Sequence, residues 1–124
     1  MNFRAANVYR KVYLESAPPA RILDELYARL LADIADARAG IVAGNAESKG
    51  AAISHGVAIV AELVAALDHA VAPALCENLA RLYTYVQERL LFANSSMDAT
   101  PLMSAERIVI TIREGFQGAS GLRR

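Results

Sequence analysis

One cysteine, no tryptophan and no excess of either charge bound what this 124-residue chain can be. A lone Cys76 closes no intramolecular disulfide and builds no thiolate metal site. The longest apolar runs, such as residues 57–61, fall far short of the about 20 residues that cross a membrane as a helix. Thirteen basic residues cancel 13 acidic ones, giving a formal net charge of 0. A nucleic-acid protein draws affinity from a basic surface that releases counterions, and no basic block occurs here. Nucleic acid and membrane insertion are therefore set aside as partners. The opening stretch lacks an apolar core of the secretory type, so the expected compartment is a reducing cytoplasm. No glycine-rich phosphate loop occurs either; Gly40, Gly44 and Gly50 cluster where one helix is expected to end and the next to begin.

What the chain does have is apolar surface. Hydrophobic residues make up 55% of it, too many to leave in water, so the excess must be buried in a core or against a partner. Their spacing is helical. After Ser16 and the Pro18-Pro19 pair, which read as a helix start, Ile22, Leu23, Leu26, Tyr27, Leu30, Ile34, Ala37 and Ile41 repeat with a 3.6-residue period. Gly44-Asn45 stops this helix and opens the next, expected over residues 46–67. A third is expected over residues 74–94, with Leu75, Leu79, Leu82, Val86, Leu90 and Ala93 inward. A fourth follows Pro101, with Ala105, Ile108, Val109, Ile112 and Phe116 on one face and an end at Gly115 or Gly118. Val109-Ile110-Thr111-Ile112 alone has strand composition, but the flanking charged residues and the longer period favour helix. Long helices with short connections predict an all-α fold, an antiparallel up-and-down four-helix bundle. Its expected division is an N-terminal arm over residues 1–15, the bundle over 16–118 and a tail over 119–124.

The second helix carries more apolar surface than one buried face requires. Ile53, Val57, Val60, Val64 and Leu67 form one stripe, and Ala52, Ile59, Leu63 and Ala66 a second beside it. Two adjacent stripes can contact two neighbouring helices, or one of them can form an open groove for a partner helix. Tyr85 and Phe92 stand off the main core stripe of the third helix and extend the same signal. On the groove reading, Ile53, Val57, Ile59, Val60, Leu63, Val64, Tyr85 and Phe92 are the candidate partner-binding residues.

The third helix also contains the most specific string in the chain: Asn78-Leu79, Leu82-Tyr83, Tyr85, Arg89-Leu90 and Ala93-Asn94. At this spacing it resembles the flagellar secretion chaperone FliS family. The likeness extends back through Tyr9, Pro19 and the Leu26-Tyr27 pair, and through Ile59-Val60, Glu62-Leu63 and Leu67-Asp68. It departs from the family pattern at Ala28-Arg29, where an acidic residue and glycine are usual. The resemblance implies a cytoplasmic export chaperone and not an enzyme. Its implied partner is the disordered C-terminal segment of flagellin, held against premature polymerisation and delivered to the flagellar type III export apparatus. The export gate and a co-chaperone or regulator are further partners on that reading. It also implies an N-terminal arm that covers apolar surface while the client is absent; Tyr9, in that stretch, is expected to help gate the groove and joins the candidate partner-binding residues.

Catalytic chemistry finds little support in the residues. His55 and His69 are fourteen positions apart without a carboxylate pair at ligand spacing, so no metal and no cofactor are expected. They read as a surface and a loop histidine, and Cys76 reads as packing. Asp24, Glu25, Asp33 and Asp36 read as a solvated face of the first helix. Two other functions stay open: a homodimeric all-helical adaptor using the same apolar face, and a small all-α enzyme of chorismate mutase type. The latter would need arginines converging on a dianion, and Arg10, Arg21, Arg29, Arg38, Arg81, Arg89, Arg107 and Arg113 show no convergent spacing.

Overall fold

The structure, a computed structural model, describes residues 20–120. They form four helices: α1 Ala20–Val42, α2 Ala46–Ala65, α3 Pro73–Ser96 and α4 Thr100–Ser120. No strand occurs among the described residues, and Val109-Ile110-Thr111-Ile112 lies inside α4. Each helix packs on the next, and α4 packs back on α1 to close the ring. Contacts between helix starts and helix ends fix the direction. Arg38, late in α1, bonds Glu106, early in α4, while Asp24, early in α1, bonds Arg113, late in α4. Neighbours are therefore antiparallel, and the fold is the up-and-down four-helix bundle that the periodicity predicts. Ser16, Pro18, Pro19, the arm over residues 1–15 and most of the expected tail lie outside the described residues.

The connections follow from local chemistry. Gly44 takes the left-handed conformation (φ 69°). The Asn45 N–H then returns to the Gly40 carbonyl and the Gly44 N–H to that of Ile41, the paired bonds of a Schellman stop. Asn45 also starts α2, its side chain accepting from the Ser48 N–H at 3.0 Å. The two helices thus share a three-residue turn, which presses them together: a Cβ on Gly40 would lie 2.8 Å from the Lys49 backbone nitrogen. Pro73 occupies the first turn of α3, where its missing N–H costs nothing. Asp98 accepts from the Thr100 N–H ahead of α4. Helix α4 does not stop at Gly115 or Gly118 but continues to Ser120. Phe116 is buried, and Gln117 donates to Asp24 at 2.9 Å, so tertiary anchors outweigh the helix cost of two glycines.

The core runs the length of the ring: Tyr27, Leu30 and Ile34 from α1, Ile53, Val60 and Leu63 from α2, Leu79, Val86 and Leu90 from α3, and Leu102, Val109 and Phe116 from α4. Full burial of such side chains contributes about 1.5–3 kcal/mol each before entropy is counted. The expected inward face of α1 needs one correction. Ile22 is 48% exposed, because it lies a full 100° from Leu23 around the helix, outside the arc that faces α2 and α4. Leu26, Ile41, Leu75, Leu82 and Ile108 pack against the core from its margin.

Candidate partner-binding surface

The broad apolar arc of α2 is spent on two neighbours. It packs on α1 and on α3, and its buried set, Ile53, Ile59, Val60 and Leu63, straddles both stripes. Burial at 1–3% exposure removes these four from the candidate groove: they are core in the closed bundle. Val57 is half-buried and Val64 exposed, while the remaining outer face mixes alanines with Glu47, Ser48, Ser54, His55 and Glu62. Tyr85 and Phe92, 41% and 50% exposed, do stand at the surface. Tyr9 lies outside the described residues.

Helix α3 makes the most distinctive surface. Leu82, Tyr85, Arg89 and Phe92 recur three and four residues apart and therefore share a flank. The Arg89 guanidinium lies over two rings, 5.5 Å from the Tyr85 centroid and 5.2 Å from that of Phe92. Contact with both ring faces is the favourable cation–π arrangement. Its Nε is enclosed and has no hydrogen-bond partner. Beside this flank, α3 and α4 leave an apolar depression of about 240 Å³, walled by Leu82 on one side and Arg107, Ile108, Thr111 and Ile112 on the other. On the far side of Tyr85 a shallower and more charged depression of about 480 Å³ runs past Glu77, Arg81 and Glu88 to His69.

The motif residues divide by role. Tyr27 and Tyr83 are buried and joined through their hydroxyls across the bundle, so the two Leu-Tyr pairs meet in space. Leu79 and Leu90 are core, and Leu26 and Leu82 marginal. Asn78 accepts from Arg81, and the Asn94 carbonyl accepts from the Lys49 ammonium at 2.6 Å. Most of the motif therefore builds the bundle, and Asn78, Tyr85 and the half-buried Arg89 are its surface-facing part. Pro19 lies outside the described residues.

The remaining polar groups are mostly occupied in holding helices together. Arg113 forks both oxygens of Asp24 at 2.9 and 3.1 Å, holding that carboxyl below its usual range. His55 Nδ1 lies 2.6 Å from the Asp33 carboxylate, and Arg29 approaches Nε2 at 3.4 Å. A carboxylate only accepts, so Nδ1–H donates to Asp33. Asp24 and Asp33 are thus interhelical partners and not part of a solvated face. His69 is exposed in the α2–α3 connection. Cys76 is fully buried with its Sγ donating to the Asp68 carbonyl, and desolvation pushes the thiol's pKa up. No group of three or more metal-ligating side chains assembles among the described residues.

Sequence reasoning missed Arg107 and Thr111 as lining residues and placed Ile108 wholly inward. Their spacing, 107, 108, 111 and 112, is that of a helix margin and could have been read as a groove wall. Lys49, 6% exposed, was missed as well.

Comparison with known proteins adds a family. A family model described as "Flagellar protein FliS" matches residues 1–122. The chain is 31% identical over 121 residues to a flagellar secretion chaperone FliSB of Pseudomonas aeruginosa, covering 94% of this chain and 96% of that one. It is 30% identical over 117 residues to a flagellar secretion chaperone FliS of Salmonella typhimurium, covering 90% and 87%.

Proposed function

The chain belongs to the FliS family of flagellar proteins, and from that premise we propose that it is a cytoplasmic export chaperone for flagellin. The relatives are named as chaperones of flagellar secretion and not as enzymes. On this reading the client is the C-terminal segment of flagellin. It folds as an amphipathic helix against the bundle and is carried in that state to the export apparatus. The observation that carries the reading is the apolar α3–α4 depression, walled on the α3 side by Leu82, together with Tyr85 and Phe92 exposed on the same helix. Half-exposed aromatics beside an unfilled apolar groove are what a helix-in-groove contact uses. A segment that orders on binding loses chain entropy, and continuous apolar contact along the groove offsets that loss. Residues 1–15, with Val8, Tyr9 and Tyr13, are assigned as the cover that the client displaces. No described helix is long and apolar enough to cross a membrane.

The test is titration of the full chain with the C-terminal segment of the flagellin encoded in the same genome, followed by calorimetry and circular dichroism. Saturable binding with a gain in helicity supports the proposal. Absence of binding well above micromolar concentrations, by a folded sample, overturns it.

A further inference from the structure

We infer that the α3–α4 groove takes a client segment carrying a carboxylate beside its apolar stripe, and that Arg89 and Arg107 together receive that carboxylate; the inference rests on the chaperone reading. Arg38, Arg81 and Arg113 each face a carboxylate at 3.2 Å or less. Arg89 and Arg107 face none among the described residues, and the acids beside them in sequence are turned elsewhere. Glu106 is bonded to Arg38, and Glu88 lines the depression beyond Tyr85.

Register sets the two at the same level of the α3–α4 seam. Helices α3 and α4 are antiparallel and joined by residues 97–99, so positions equally far from the turn stand level. Arg89 is seven residues before Ser96, and Arg107 seven after Thr100. Arg107 lines the apolar depression directly, and Arg89 lies two helical turns from Leu82, which forms the opposite wall. Two level cations without a counter-ion, one on each helix, make a site for an anion.

Arg89 is also held in place. Its guanidinium carbon lies over the rings of both Tyr85 and Phe92, contacts that restrain the side chain while leaving N–H groups for an acceptor. Its enclosed Nε has no acceptor within the protein. A helix laid in the groove, with apolar residues against Leu82, Ile108 and Ile112 and an acidic residue one turn on, meets both requirements. A wholly apolar segment would leave both guanidinium groups unpaired as water is displaced.

The experiment compares two probes: the flagellin C-terminal segment, and the same segment with every Asp and Glu changed to Asn and Gln. Each is titrated into the full chain and into Arg89→Met and Arg107→Gln, at two salt concentrations. The unchanged chain should bind the acidic probe about tenfold more tightly than the neutralised one, the scale of one charge-assisted contact. Both variants should lose that preference and much of the salt dependence. Arg107 is exposed, so its variant keeps the fold even if Arg89→Met does not. Equal affinity of the unchanged chain for both probes overturns the inference and leaves the chaperone reading standing. Undiminished preference in Arg107→Gln also overturns it. No binding of either probe by the unchanged chain overturns the chaperone reading, and the inference with it.

Discussion

Lys49, in the first turn of α2, donates its ammonium to the backbone carbonyl of Asn94 in the last turn of α3. The end of a helix carries unsatisfied carbonyls and partial negative charge, and α3 has no basic residue of its own there. Lys49 supplies that charge from a neighbouring helix while its stem fills the junction beneath Gly40. Replacing Lys49 with Met keeps the stem and removes the donor. Urea unfolding should show a loss of about 1–2 kcal/mol. An unchanged midpoint would mean that water replaces the ammonium at no cost.

The two buried glycines of the α1–α2 contact should respond oppositely to a methyl group. At Gly40 the added Cβ meets Lys49 backbone at 2.8 Å, which neither helix can yield without separating. Gly40→Ala should destabilise the bundle by about 1–3 kcal/mol. At Gly56 the nearest atoms, on Asp33, Leu30 and Leu90, are 3.5 Å away, an ordinary contact. Gly56→Ala should be neutral or stabilising by up to about 1 kcal/mol, from helix propensity. Thermal unfolding of both variants checks the contrast, and similar losses would refute it.

Stability should fall in acid through Asp24. The Arg113 guanidinium, with help from Gln117, lowers this carboxyl in the folded state. A depressed acid contributes stability that is fully present above its unfolded value, about 4, and is lost as pH falls through the folded value. The unfolding free energies of the native chain and Asp24→Asn should therefore differ most at neutral pH and converge below about pH 4. A gap that stays constant down to about pH 2.5 would show that the pair contributes nothing through ionisation.

Cys76 should be inert while the bundle is folded. Its thiol is fully buried, bonded to Asp68 and shifted away from the reactive thiolate by desolvation. A chromogenic disulfide reagent should modify it only at the rate of unfolding, and fully in denaturant. Rapid modification of the native chain would show that α3 opens locally at its first turn.

Surface and core positions of the groove proposal should separate cleanly. Phe92→Asp changes a half-exposed ring, so circular dichroism should be retained while client affinity falls about tenfold or more. Ile53→Asp places an unpaired charge at 2% exposure, costing several kcal/mol, and should unfold the chain. A folded Phe92→Asp chain with native affinity would move the client contact elsewhere.

The helices and their order were legible because periodicity and punctuation agreed: Gly44-Asn45 and Pro73 stand where the chain turns, and Leu30, Ile34, Leu79 and Leu90 lie inward. The site was less so. The apolar excess of α2 was consistent with two neighbours or one groove, and a linear pattern carries no information on which neighbour covers which stripe. Lys49 was hidden because its partner is a main-chain carbonyl, which leaves no trace in residue types. Asp33 and His55 are 22 residues apart on different helices, so only the α1–α2 register brings them together. Tyr83 was visible as a motif residue, but its hydroxyl contact with Tyr27 spans 56 positions.

Three of the four principal seams join helices consecutive in the chain; the α1–α4 seam alone joins segments far apart in sequence. Its polar contacts, Arg38 to Glu106 and Asp24 to Arg113, link positions separated by 68 and 89 residues. The chain entropy of closing so long a loop is recovered only once the other helices are in place. Helix hairpins can therefore form from local contacts, and the ring shuts last, with an ion pair towards each end of the final seam.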